Sequence, residues 1–369
     1  MTIRNLYFSF FLLLICSSSA QGESVKELLS RYRGEYQDLI ELNGGGLPDG
    51  LKNEFYREWR KILESGLAGA ASEDPARDSL FLELVAISSF VGEWEKAIEY
   101  CNLGLDQKLP SGVRKILLSN RATIASTWRM ADSGSIPKSQ VLGWFKSAAS
   151  EITPASDILF LEDYCKFLMR ENEKEELQNI DELVLKSIEA MSDEPTKSEM
   201  IAGRASLRRI VANLVSTGDL NAATKRFVES HQKTVPDERL SMELIQIADL
   251  VGAKSASKAR SFLDEIVRSM PVEDHYSWAI DRWIANSYYR EKQFKKAAEH
   301  YSSALSEFDF SEEMSERDRR YSKHLLFQIA ESLRFSGEAE QAKGFYRLFL
   351  SQFPDDEEYR SAISESWLR

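Results

Sequence analysis

The stretches 278–306, WAIDRWIANSYYREKQFKKAAEHYSSALS, and 324–354, HLLFQIAESLRFSGEAEQAKGFYRLFLSQFP, carry one pattern twice. Ala285, Tyr288, Ala297, Tyr301 and Ala304 are answered by Ala330, Leu333, Ala342, Tyr346 and Phe349, with steps of three, nine, four and three residues in both copies. Steps of three and four keep residues on one helical face, and the step of nine crosses a turn. A helix–turn–helix unit of about 34 residues that recurs builds a stack of hairpins, because one hairpin alone cannot cover its apolar face. Such a stack offers a surface for holding a partner more readily than a pocket for chemistry.

Outward from this stretch, prolines divide the chain. Pro48, Pro75, Pro110, Pro137, Pro154, Pro195, Pro236, Pro271 and Pro354 fall between amphipathic segments, where proline removes a helical donor and clashes with the preceding turn. Period-two alternation bounded by hairpin turns is absent, which predicts an all-α chain. Eight hairpins follow: 24–42 with 49–66, 77–91 with 94–107, 112–131 with 138–150, 156–171 with 174–191, 197–216 with 220–233, 238–252 with 256–269, 274–291 with 294–307, and 315–336 with 339–352. A last helix over 356–368 presents Tyr359, Ile363 and Trp367 on one face and is expected to cap the stack.

The residues of the seventh and eighth hairpins resemble the tetratricopeptide repeat (TPR). Its first-helix signature falls on Ile284-Ala285 and Tyr288, and its second-helix signature on Phe294, Ala297, Tyr301 and Ala304. The eighth hairpin matches through Ile329-Ala330, Leu333, Gly337, Ala342, Tyr346 and Phe349, with Pro354 where the family closes its repeat. The second matches through Leu84, Gly92, Trp94, Ala97 and Cys101, with Gly104 in place of the usual alanine, a thinner contact. The fifth follows through Ile210-Val211, Leu214, Gly218, Leu220, Ala223 and Phe227, while the sixth fits its first helix only with a one-residue slip. The first, third and fourth are helical without the signature. The resemblance implies a right-handed α-solenoid with a C-terminal capping helix: residues 21–195 as degenerate hairpins and 196–369 as the better-formed repeats.

The family also implies where a partner binds. Its inner groove is lined by the first helix of each hairpin, which carried over places Arg282, Asn286, Tyr289 and Arg290 of the seventh, with His324, Gln328 and Arg334 of the eighth, toward a peptide. Arg208 and Arg209 project similarly from the fifth. The Arg282/Asn286 pair resembles part of the carboxylate clamp by which some members hold a peptide C-terminus, although the clamp's lysines are missing. An arginine fork holds a carboxylate with two hydrogen bonds, so the expected partner is a protein or peptide with an acidic or C-terminal segment. The dense aromatic group Tyr276, Trp278, Trp283, Tyr288 and Tyr289 reads as core, with a sugar-stacking face as the rival that exposed Trp278 or Trp283 would support.

Signals for catalysis, metal or cofactor are poor, and the expectation is a non-enzymatic scaffold with none of these. His231, His275, His300 and His324 lack metal-ligand spacing. Ser255-Ala256-Ser257-Lys258 matches a Ser-x-x-Lys pattern at a polar helix start without accompanying motifs, and Gly45 to Lys52 misses a phosphate loop by placing Leu51 where lysine is needed.

The formal net charge of −12 argues against a general nucleic-acid or anionic-membrane binder. Arg4, the apolar run Leu6 to Cys16 and Ser18-Ser19-Ala20 read as a cleaved signal peptide over 1–20, so the expected product is exported, to a bacterial periplasm or beyond, with no integral membrane segment in the mature chain. The ending Phe349 to Pro354 also resembles repeats of outer-membrane and cell-envelope assembly components. After cleavage Cys101 and Cys165 remain, and Cys101 falls where a stacked helix buries a small residue, which favours a lone thiol over a disulfide. Ile15 occupies the position before Cys16 where a lipoprotein signal needs a small residue. Mass spectrometry of the exported protein is therefore expected to find Gln21 as the first residue; an acylated Cys16 at the N-terminus would overturn this.

Overall fold

The computed structural model describes residues 24–71, 74, 76–151, 157–272, 274–310 and 314–363. Residues 1–20, read above as a signal peptide, and Trp367 lie outside them. Every regular element among the described residues is a helix. Contacts divide the chain into two compact units, one ending at Asn172 and the other starting at Glu173. The sequence-based boundary at 195/196 falls inside the second unit, and the two helices of the expected fourth hairpin belong to different units.

The first unit contains α1 (Val25–Leu42), α2 (Asp49–Gly69), α3 (Arg77–Phe90), α4 (Trp94–Leu105), α5 (Ser111–Ala131), α6 (Lys138–Glu151) and α7 (Ile158–Arg170). Ser24 starts α1 with a capping box, accepting from the backbone of Glu27 while the Glu27 side chain accepts from the backbone of Ser24. Tyr32 of α1 packs on Phe55 and Trp59 of α2, with ring centroids 5.9 and 5.2 Å apart. Cys101 and Cys165 are buried thiols, and burial pushes the Cys101 thiol up to about 12. The contact at Gly104 is tighter than the sequence implies, not thinner. A Cβ there would lie 2.6 Å from Leu117 Cδ1 and 3.2 Å from Phe81 Cγ, so those two side chains fill the place of the missing methyl.

The second unit contains α8 (Lys174–Glu189), α9 (Lys197–Thr217), α10 (Leu220–Thr234), a 3-10 turn (Asp237–Arg239), α11 (Leu240–Gly252), α12 (Ala256–Ser269), α13 (Trp278–Arg290), α14 (Phe294–Ser306), α15 (Glu316–Ser336), α16 (Ala339–Gln352) and α17 (Glu357–Ala362). Thr196 and Glu199 form a second capping box at α9. Gly218 and Gly337 end α9 and α15 with φ of 97° and 88°, a left-handed cap that glycine adopts without strain. Lys292 takes the same conformation at the turn after α13. Helix α13 begins at Trp278 rather than 274 because Asp274 accepts from the backbone N–H of Tyr276 at 2.8 Å, forming a turn, and from that of Ser241 at 2.6 Å.

The recurring residues meet in one core. Ala285, Ala297, Tyr301, Ala304, Ala330, Leu333, Ala342, Tyr346 and Phe349 are all buried in it. Each tyrosine also bonds back to the polar residue that follows the first-helix alanine: Tyr301 donates to Asn286 at 2.6 Å, and Tyr346 donates to Glu331. Tyr359 of α17 packs on Phe327 and Phe349, and Ile363 is buried, so the described part of the last helix covers the end of this core.

The alanines permit the close approach of paired helices. Ala297→Trp or Ala342→Trp is expected to destabilise the last two hairpins by about 1–3 kcal/mol or more, because the buried contact has no room for an indole. Far-UV melting checks this, and an unchanged curve in either variant would show that the repeat register is wrong.

Candidate functional site

Within the second unit, α9, α11, α13 and α15 line a groove of about 950 Å³. Ile201, Arg204, Ala205 and Arg208 recur at helical spacing on one face of α9, as do Trp278, Arg282 and Asn286 on α13. Neighbouring helices are tied by specific contacts. Arg208 of α9 grips Glu243 of α11 through two bonds of 2.8 and 2.9 Å. The Trp283 indole N–H of α13 donates to Asp249 of α11 at 2.7 Å. Trp278 of α13 packs on Tyr321 of α15, with centroids 4.6 Å apart.

The groove wall carries four arginines, Arg204, Arg208, Arg239 and Arg282, against Glu238 and Glu243. Arg208 is committed, since Glu243 is 3% exposed and would be left as a buried unpaired charge without it. Arg282 lies over Trp278 and Tyr321, 5.5 and 5.9 Å from the ring centroids. Arg204 has a buried Nε without a hydrogen-bond partner. Among the described residues neither of these two, nor Arg239, makes an ion pair. Ile201 and Met242, 43% and 40% exposed, add apolar surface beside them.

The seven residues expected to line the groove separate into three places. Arg282 and Asn286 lie in it, and the Asn286 oxygen already accepts from Tyr301. Tyr289, Arg290 and Arg334 sit at the C-terminal ends of α13 and α15. There Tyr289 packs on Phe294 and Phe335, and Arg334 is held by Glu331 at 2.7 and 3.2 Å. His324 meets the Tyr359 hydroxyl across 3.0 Å, under the capping helix, and Gln328 is half-buried on the same helix. Arg209 turns away from the groove to grip buried Asp181 of α8.

Ile201, Arg204, Arg239 and Met242 were missed from the sequence. Arg204 could have been found one turn before Arg208. Met242 could not, because the slipped register of the sixth hairpin hid which face of α11 is turned outward. Trp278 is 6% exposed and offers no bare indole face for a sugar, whereas Trp283 is half-buried on the groove wall with its N–H held by Asp249. Ser255 caps α12 by accepting from the Lys258 backbone, and the Lys258 ammonium donates to the Ser216 carbonyl at 2.5 Å, which gives both residues structural work. Among the described residues no group of three or more His, Cys, Asp or Glu is placed to hold a metal ion, and no helix is long and apolar enough to cross a membrane.

Residues 324–356 match the family description of the tetratricopeptide repeat. That segment is a tetratricopeptide repeat. The matched segment is the eighth hairpin, and the seventh buries the same positions in the same core. No curated protein matches the chain. Among solved structures it is similar to a TPR protein from Parabacteroides merdae at 15% identity, covering 79% of this chain and 97% of that one, with a TM-score of 0.36. It is also similar to the C-terminal part of a TPR-containing protein from Cytophaga hutchinsonii (11%, covering 76% and 98%, TM-score 0.36) and to the apo form of the quorum sensor NprR from B. thuringiensis (13%, covering 89% and 97%, TM-score 0.34). Stacked TPR hairpins present extended surfaces that hold protein partners.

Burial and the Arg282 charge hold the His324 imidazole below its ordinary 6.5, so the folded protein binds this proton less readily than the unfolded chain does. An unfolded chain takes up that proton first as pH falls through 6.5, so this contribution to stability is complete above 6.5 and is lost below it. Melting temperature is expected to fall with pH below 6.5 less steeply in His324→Gln than in the wild type. Parallel slopes in the two proteins would show that His324 does not titrate differently on folding.

Proposed function

We propose that this protein is an exported, non-enzymatic scaffold whose second unit receives an acidic, partly apolar segment of a protein partner in the groove of α9, α11, α13 and α15. The observation that carries this reading is the set Arg204, Arg239 and Arg282, three guanidinium groups without ion-pair partners among the described residues, beside exposed Ile201 and Met242. An unpartnered guanidinium with aromatic neighbours is ready to form charge-assisted bonds to a carboxylate, and the apolar side chains supply burial that charge alone lacks. The chain bears a net charge of −12, so attraction of an acidic segment has to come from this local cluster. Export, with a bacterial periplasm as destination, is proposed from residues 1–20.

The test uses a synthetic amphipathic Leu/Glu peptide and its Leu/Lys counterpart. Wild-type protein is expected to bind the Leu/Glu peptide preferentially, more weakly as salt is added. Arg204→Glu with Arg282→Glu is expected to lose about 1–3 kcal/mol or more of that binding while melting as before. Equal binding of both peptides, or a folded double variant with unchanged affinity, would remove the groove reading.

A further inference from the structure

Tyr289, Arg290 and Arg334, three of the sequence-predicted residues that fall outside the groove, mark a second surface. The turns after α13 and α15 lie side by side, with Phe294 and Phe335 ring centroids 5.1 Å apart and Tyr289 edge-on to both at 5.2 and 6.3 Å. Phe294 lies between the other two rings, and Phe335 is 47% exposed. The exposed cations Lys292, Lys295 and Lys296 share a depression with it, exposed Arg290 follows Tyr289 at the end of α13, and the Arg334 guanidinium lies 4.2 Å from the Phe335 ring centroid. The one acid between Arg290 and Lys296, Glu291, is engaged by Arg260 and Gln293, each at 2.9 Å. Glu338 approaches Lys295 only to 3.9 Å, and Glu299 stands at the margin. Among the described residues Arg290, Lys292 and Lys296 make no ion pair. In a chain of net charge −12, this is a local reversal of sign around an exposed aromatic.

We propose that this turn edge is a peripheral docking surface for an anionic lipid bilayer. Its shape and composition suit a fluid sheet of phosphates better than a folded protein. Phe294, Phe335 and three lysines line a shallow depression of about 530 Å³. Lysines are compact charges on flexible stems that follow mobile phosphates, whereas defined carboxylates favour the rigid arginine fork found in the groove. An exposed aromatic ring enters the headgroup boundary while cations beside it stay at the surface, and juxtaposed basic residues draw a protein to anionic lipid. The net charge of the chain does not oppose this at close range, because solvent-exposed charges beyond about 8 Å are screened at physiological salt.

The experiment places a polarity-sensitive dye at Ser336→Cys in the full chain, with Cys16→Ser removing the one cysteine of the leader; Cys101 and Cys165 are buried. Vesicles of phosphatidylglycerol and phosphatidylcholine are expected to shift the dye to the blue with affinity about tenfold or more above that for phosphatidylcholine alone. Added salt, or Lys292→Glu with Lys295→Glu and Lys296→Glu, is expected to abolish the shift without changing the melting temperature. Because the dye reports this edge, vesicle binding through the leader would leave it unmoved, and a silent dye on a vesicle-bound chain would overturn the proposal. An equal response to neutral vesicles would overturn it too. So would a dye that answers the acidic Leu/Glu peptide and not the vesicles, since the edge would then be a protein-binding surface. These variants leave Arg204 and Arg282 in place, so groove binding and bilayer docking fail independently.

Discussion

The structure of the last repeats depends on how closely two helices can approach. Ala285, Ala297 and Ala304 have no measurable exposure, and the gap they leave is filled by the ring of Tyr301 rather than by a branched side chain. Small residues set the interhelical distance, and a large planar one fills the remaining volume at native density. The next hairpin repeats the arrangement with Ala330, Ala342 and Tyr346. Once that distance recurs, successive first helices present their outer faces side by side, and polar residues between the packing positions become neighbours. The groove follows from the core in this sense. Gly104 shows the same constraint in the first unit, where Leu117 and Phe81 occupy the volume that an alanine methyl would have used.

Charge is distributed by the same packing. The chain has 59 acidic residues against 47 lysines and arginines, yet several carboxylates are consumed internally. Asp181 is bound by Arg209, Glu243 by Arg208, Glu291 by Arg260 and Glu331 by Arg334. Each pair joins or stiffens helices and offsets the charge of an acid. Arginines without such partners then dominate the groove, and lysines dominate the turn edge of α13 and α14. A net charge describes neither surface, because both are local and screening confines their fields to their own neighbourhood.

The separation of the expected site residues has a simple geometric cause. Arg282 and Asn286 are four residues apart and share a face of α13, whereas Tyr289 and Arg290 lie at the end of that helix, beside the turn. A face assigned from spacing alone is right about angular position and silent about where along the helix a neighbour covers it. His324 illustrates the second failure. It lies on an inward-reading face of α15, but the short helix α17 places Tyr359 against it.

What the sequence by itself determined is the set of helices, their turns and the packing positions of the seventh and eighth hairpins. These depend on interactions within a few residues: proline breaks, left-handed glycine caps at Gly218 and Gly337, and apolar steps of three and four. What only the tertiary structure decided is which polar groups from distant segments share one surface. Arg204, Arg239 and Arg282 come from three different hairpins, and Phe294 meets Phe335 across two turns. The reason is physical. Local propensity and periodicity act through neighbours in the chain, whereas the pairing of an arginine with Glu243, or its remaining without a carboxylate, depends on the distance between helices that the alanine and tyrosine contacts impose.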